Sequence, residues 1–260
     1  MASAIIGGLL AKGFAAAQFH VVEIGAERCR ELEGLFGIAT AQGADSALAP
    51  CDVLVLAVKP QQMREASKSI LPHLKQQLVI TIAAGICLAD LSRWLGGYRN
   101  LVRVMPNTPA LIHAGIAGLY AMPQVSVADR ERAAALLGAV GETVWFDRES
   151  MLDAVTAVSG SGPAYVFYFI EALQQAALEL GMTPAQARTL ALHTFLGASR
   201  LAAQSEDSPA ALRTKVTARG GTTERALSAM ETDQLKTKFI EAVKAAAARS
   251  KELGEEFGKD

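Results

Sequence analysis

Three short apolar runs govern the architecture open to this sequence: Asp52-Val53-Leu54-Val55-Leu56-Ala57-Val58, Leu78-Val79-Ile80-Thr81-Ile82-Ala83 and Leu101-Val102-Arg103-Val104-Met105. A strand wetted on one face alternates apolar and polar residues. A continuous, β-branched run requires cover on both faces, as in a parallel sheet. His20 to Ile24 is a shorter run of the same kind, and helical stretches, Ala26 to Phe36 and Gln61 to Leu71, lie between the runs. This alternation implies βαβ units and an α/β, doubly wound sheet. Ile116 to Ala121 and Thr143 to Phe146 add two strands around a charged helix, Val127 to Val140.

The pattern changes near Asp147, which divides the chain into residues 1–147 and 148–260. Beyond it the signals are helical. Ser161-Gly162-Pro163 opens an apolar helix running to about Leu180. Thr183-Pro184-Ala185-Gln186 is a capping box with proline in the first turn, and Ser208-Pro209 repeats the cap-then-proline signal. Asp233 is expected to cap a last helix with Phe239, Ile240, Val243 and Ala247 on one side. The helix from Pro163 is apolar on too many sides to face water, so a partner subunit is its natural cover.

Charge and composition exclude several classes. With 25 Lys and Arg against 26 Asp and Glu, the net charge of -1 offers no global positive field for nucleic acid or an anionic membrane. No apolar stretch approaches the roughly 20 residues of a spanning helix, and no basic region precedes the first apolar residues as a signal peptide would need. Three scattered cysteines (Cys29, Cys51, Cys87) read as reduced thiols of a cytoplasmic protein. Four dispersed histidines give no ligand spacing, so no metal site is expected.

Chemistry concentrates in a few turns. Val58-Lys59-Pro60-Gln61 and Ala83-Ala84-Gly85 each follow a buried strand, where ligands of doubly wound sheets bind; either is equally a plain turn into a helix or tight packing. Arg103-Val104-Met105-Pro106-Asn107-Thr108-Pro109 ends a strand in a turn stiffened by two prolines, a structural turn unless the Asn107 amide meets a ligand. Ser159-Gly160-Ser161-Gly162-Pro163 is an anion-friendly helix start or a capped hinge between domains. In Thr217-Ala218-Arg219-Gly220-Gly221-Thr222-Thr223-Glu224 two glycines and two threonines crowd at a helix start. Free N–H groups there stabilise an anion, whereas a helix-helix loop with a threonine cap explains only one of the threonines.

Taken in order, Ala57-Val58-Lys59-Pro60-Gln61, Val102 to Pro109, Ser159 to Tyr165 and Gly220 to Thr223 resemble pyrroline-5-carboxylate reductase. The resemblance implies a Rossmann-like dinucleotide-binding domain followed by an all-α dimerisation domain, a homodimer or ring of dimers, and reduction of a small imino acid, 1-pyrroline-5-carboxylate, to L-proline with NADP or NAD. It implies a substrate carboxylate on the N–H groups of Gly220, Gly221 and Thr222, with Ser161 nearby, and a Thr223 hydroxyl on the ring nitrogen. Cofactor contacts fall to Met1, Ala2, Glu23, Ala57, Val58, Lys59, Pro60, Ala84, Gly85 and Asn107. Three departures follow. The first strand and its glycine turn are expected to be missing from this sequence, Ala2 to Ala11 being the helix after them. Ala218 stands where many relatives have serine. Glu23 ends the second strand with a carboxylate, which favours a free ribose hydroxyl over a 2′-phosphate and so NADH over NADPH. A 3-hydroxyacid dehydrogenase of similar plan is the alternative, but it calls for a lysine that Pro163 to Glu179 does not contain. A truncated, non-catalytic dimer is the other.

Overall fold

The computed structural model describes residues 1–259. The chain forms two compact units: Met1–Ser161 with Ala245–Asp260, and Gly162–Lys244. The loss of strand pattern at Asp147 therefore precedes the structural division, because the helix after it still packs with the first unit.

The first unit contains α1 (Ala2–Ala11), β1 (His20–Val22), α2 (Ala26–Phe36), β2 (Ala39–Ala41), β3 (Val53–Leu56), α3 (Met63–Ile70), β4 (Leu78–Thr81), α4 (Leu88–Trp94), β5 (Leu101–Met105), β6 (Gly115–Ala121), α5 (Val127–Leu137), β7 (Gly141–Trp145) and α6 (Met151–Val155). A π-helical turn, Thr156–Gly160, continues α6. Every residue of β4 is fully withdrawn from solvent, and the reason is the alternation of its side chains. Leu78 and Ile80 enter a core with Ile5 and Leu9 of α1 and Leu137 of α5. Val79 points to the other face, into a core with Met63 and Ile70 of α3 and Leu88 and Leu91 of α4. Two cores on one sheet make a continuous apolar strand the stable choice.

The sheet is in two parts. β1 pairs parallel with β2, and a separate sheet runs β3-β4-β5-β6-β7. No strand pairs with the other edge of β1 or of β3 among the described residues, so the break falls where the order 3-2-1-4-5-6 places its first strand. β1 stops at Val22, short of the expected Ile24, and Glu23 lies beyond the strand. The sheet is mixed: β3, β4 and β5 are parallel, β6 runs antiparallel to β5, and β7 runs parallel to β6.

The second unit is helical: α7 (Gly162–Glu179), α8 (Pro184–Ala203), α9 (Pro209–Lys215), α10 (Thr222–Thr232) and the first part of α11 (Leu235–Phe257). The Thr183–Gln186 capping box forms as expected, and Ser208 caps α9. Asp233 does not cap the last helix. It closes α10, and Gln234 follows at φ 55° before α11 begins. Ala177, Ala187 and Ala191 are buried as α7 meets α8, and Phe239 of α11 packs edge-on against Tyr165 and Phe169, with ring centroids 5.6 Å apart in each pair. Phe167 and Tyr168 remain 65% and 69% exposed.

One crossing inside the first unit tolerates no side chain. Gly141 has φ 154°, and a Cβ there would stand 1.9 Å from the carbonyl oxygen of its strand partner Gly115. Gly141→Ala is expected to destabilise the fold by on the order of 3 kcal/mol, read as a lowered urea midpoint.

Candidate active site

The turns singled out in the sequence fall into two groups, one in each unit. In the first unit, Ala57-Val58-Lys59-Pro60 follows β3, Ala84-Gly85 follows β4 and Asn107 follows β5, so all three lie at the carboxyl ends of adjacent parallel strands. Open α/β sheets bind their ligands at this edge. Lys59 is exposed and precedes a 3-10 turn that Pro60 starts. Asn107 is nearly buried. Its Oδ1 accepts the N–H of Ile116 at 3.0 Å, which pins the turn to β6 and leaves the amide NH2 to other acceptors. Met1 is the residue before α1, and its carbonyl accepts from Ala4 and Ile5. The N–H groups of Ala2 and Ser3 have no partner among the described residues, as expected at a helix start. Glu23 turns its carboxylate onto its own loop, where Oε1 accepts from Gly25 N at 2.9 Å.

Gly85 has a packing reason of its own. It sits at φ 75°, and a Cβ there would meet the Phe257 ring at 3.1 Å. Phe257 belongs to the end of α11, which returns to the first unit. Arg103, in the middle of apolar β5, is 3% exposed. Its Nη1 donates to Glu149 Oε1 at 3.1 Å, and Nη2 lies 3.8 Å from Asp153 Oδ1. Glu149 Oε1 also accepts from Leu88 N at 2.7 Å, capping α4, since Cys87 supplies no side-chain cap. Asp153 in turn accepts from Ser250 Oγ at 2.9 Å. Burial pushes the Cys87 thiol upward, only partly opposed by Arg103. Sequence reading passed over Glu149, Asp153, Ser250 and Phe257. The charge of Arg103 inside a buried strand was the signal that partners had to exist.

Ser161 ends the first unit, its N–H bonded to Thr156 O at 2.8 Å as the π turn closes. A Cβ on Gly160 would lie 2.5 Å from the end of Met105, so this glycine serves close packing. In the second unit, Gly220 at φ 75° makes the turn and Gly221 precedes α10. The Gly220 N–H donates to Glu224 Oε2 at 2.7 Å, and the Gly221 N–H to Ala218 O at 3.1 Å. No side chain caps α10, so its free donors, among the described residues, are the N–H groups of Thr222, Thr223 and Glu224. Thr222 and Thr223 are exposed. Among the described residues no cluster of His, Cys, Asp and Glu could hold a metal ion, and no helix is long and apolar enough to cross a membrane.

Comparison with known proteins covers both units. Residues 149–253 match the family profile described as pyrroline-5-carboxylate reductase dimerisation, and residues 1–85 match that of NADP oxidoreductase, coenzyme F420-dependent. Pyrroline-5-carboxylate reductase of Pseudomonas aeruginosa is 46% identical over 260 residues, covering 100% of this chain and 95% of that protein. The enzyme of Haemophilus influenzae is 38% identical, with 97% and 94% covered. The solved structure of a pyrroline-5-carboxylate reductase from Coxiella burnetii superposes with a TM-score of 0.90 at 38% identity, covering 97% of this chain and 94% of that one. That of Plasmodium falciparum pyrroline carboxylate reductase with NADP bound superposes with a TM-score of 0.85 at 26% identity, with 97% and 94% covered. Agreement of this extent, over both units, shows that the chain belongs to the pyrroline-5-carboxylate reductase family.

Proposed function

We propose that the opening of α10 holds the substrate carboxylate and the ring nitrogen, and that the carboxyl edge of β3, β4 and β5 holds NADP or NAD. The reaction is reduction of the cyclic imine 1-pyrroline-5-carboxylate to L-proline, the last step of proline synthesis. The observation that carries the assignment of roles is the uncapped start of α10. Its free N–H groups on Thr222 and Thr223 offer a carboxylate both hydrogen bonds and the positive end of the helix dipole. Gly220 and Gly221 shape this opening, their own N–H groups being engaged within the turn.

The first unit fits a dinucleotide. Small residues line the turn after β4, the Asn107 amide NH2 is available after β5, and the unpaired N–H groups of Ala2 and Ser3 at the start of α1 suit a pyrophosphate. The bound cofactor supplies the hydride. Thr223 Oγ hydrogen-bonds the protonated ring nitrogen and fixes the face of the ring, so that as hydride adds to carbon the C=N electron pair passes to nitrogen. Orientation is the main contribution asked of the protein. No lysine occurs in α7, so the proton shuttle of a hydroxyacid dehydrogenase has no candidate there.

The exposed aromatic and aliphatic side chains of α7 and α8, among them Val166, Phe167, Tyr168, Leu190 and Leu196, support a homodimer through the helical unit. The three free cysteines fit a reducing, cytoplasmic setting. Glu23 supports NADH over NADPH, because its carboxylate is already oriented by Gly25 at the end of β1 and would oppose a 2′-phosphate.

The activity is tested by imine-dependent oxidation of NADH or NADPH, and its absence with both would refute the reading. Thr223→Ala is expected to lower turnover by about 1–3 kcal/mol of transition-state stabilisation without shifting Tm, since the hydroxyl caps nothing in the fold. Unchanged turnover at saturation would remove Thr223 from its role. Sedimentation at micromolar concentration is expected to give a dimer or a larger assembly with no folded monomer. Glu23→Ser is expected to raise kcat/KM for NADPH relative to NADH. A strong NADPH preference in the unaltered enzyme would instead point to Arg28, which donates to Ser3 Oγ at 2.6 Å, as the cation of the ribose end.

A further inference from the structure

The last turns of α11 close on the turn between β4 and α4 and hold it from two sides. On one side Gly254 and Phe257 lie directly against Gly85. A Cβ added to Gly254 would be 3.3 Å from the Gly85 carbonyl, and one added to Gly85 would be 3.1 Å from the Phe257 ring. The carbonyl of Gly258 accepts from Arg93 of α4 at 2.8 Å. On the other side Ser250, 4% exposed, donates to Asp153, which with Glu149 flanks the buried Arg103; Glu149 in turn caps α4 at Leu88. The Ala83–Cys87 turn is thus clamped between the aromatic ring of Phe257 from α11 and an ion cluster built around the buried Arg103 of β5.

We infer that the end of α11 is a strut that fixes the Ala83–Cys87 turn in its cofactor-binding shape, with Phe257 and Ser250 as positioning residues. The inference rests on the reading that the turn after β4 carries the dinucleotide. Gly85 at φ 75° is free to take other backbone conformations, because glycine alone meets no Cβ restriction. The Phe257 ring fills the space into which the turn would relax. Ser250 keeps α11 in register by holding Asp153, so that the ring meets Gly85 and not a neighbouring residue. Neither side chain is asked to touch the substrate, so loss of either acts through cofactor placement. A misplacement by about 1 Å, even from a change far from the chemistry, can cost roughly a hundredfold in rate.

Four variants of the full-length enzyme test this by fluorescence titration of NADH and NADPH, by Tm, and by separate KM values for cofactor and imine. Phe257→Ala is expected to weaken cofactor binding by roughly tenfold, with the cofactor KM rising in step and the imine KM unchanged. Phe257→Leu, which keeps an apolar filler, is expected to restore most of the affinity, and it retains the test if the alanine variant folds poorly. Ser250→Ala is expected to weaken binding in the same direction to a smaller extent. Ala84→Leu obstructs the turn itself and is expected to weaken binding whatever α11 does. If Ala84→Leu weakens binding while Phe257→Ala and Phe257→Leu lower only Tm, the strut is purely structural and the inference is overturned. If Ala84→Leu leaves cofactor affinity intact, the turn is not a cofactor site, and the inference falls with the reading beneath it.

Discussion

A guanidinium withdrawn from water, as Arg103 is at 3% exposure, persists only where acceptors replace its lost hydration. Glu149 and Asp153 do this, and neither is near Arg103 in sequence. Each then makes a second contact that places another element: Glu149 caps α4, and Asp153 receives Ser250 of α11. Breaking a buried pair from one side leaves a stranded charge, which costs about 3–5 kcal/mol. The loop between β4 and α4, the start of α6 and the end of α11 are therefore held by one charge in the middle of a strand. An apolar residue at 103 would fill the strand equally well but would leave these three segments without a common anchor.

The sheet places what this anchor steadies. Opposite cores bury both faces of β4, which leaves the ends of the strands as the places where backbone groups meet a ligand. Three carboxyl ends stand side by side because β3, β4 and β5 are parallel, and β6 then runs against β5 and closes that side of the array. Asn107 joins the two arrangements, since the amide that follows β5 accepts a hydrogen bond from the backbone of β6.

Much of this was legible in the residues. Continuous apolar runs marked β3, β4 and β5 within a residue or two, and α2 ends where expected because its left-handed glycine C-cap, Gly37, is a local signal. β2 escaped notice because Ala39-Thr40-Ala41 is a three-residue edge strand with no apolar signature. Asp233 misled because an acidic residue before a helix resembles an N-cap, whereas it ends α10 and Gln234, at φ 55°, stands between it and α11. Two glycines of the turns singled out in the sequence, Gly85 after β4 and Gly160 before α7, are required by packing against Phe257 and Met105. Periodicity shows which side of a helix is apolar and not which body that side meets, so the return of α11 to the first unit could not be read in advance.

That return makes the helical unit an insertion. Residues before Gly162 and after Lys244 belong to one compact body, and the helical unit is joined to it by chain at both ends. During synthesis the sheet, its two cores and Arg103 emerge first, while Ser250 and Phe257 emerge only after the helical unit. The first unit thus waits, with the ion cluster one partner short and Gly85 uncovered, until the segment after Lys244 has been made. Domains generally fold as units from the N-terminus as the chain appears, but here the N-terminal body cannot finish before the C-terminal one. Its final consolidation therefore follows synthesis of the whole helical unit, whose α7 and α8 already carry the exposed apolar side chains that a second copy would cover.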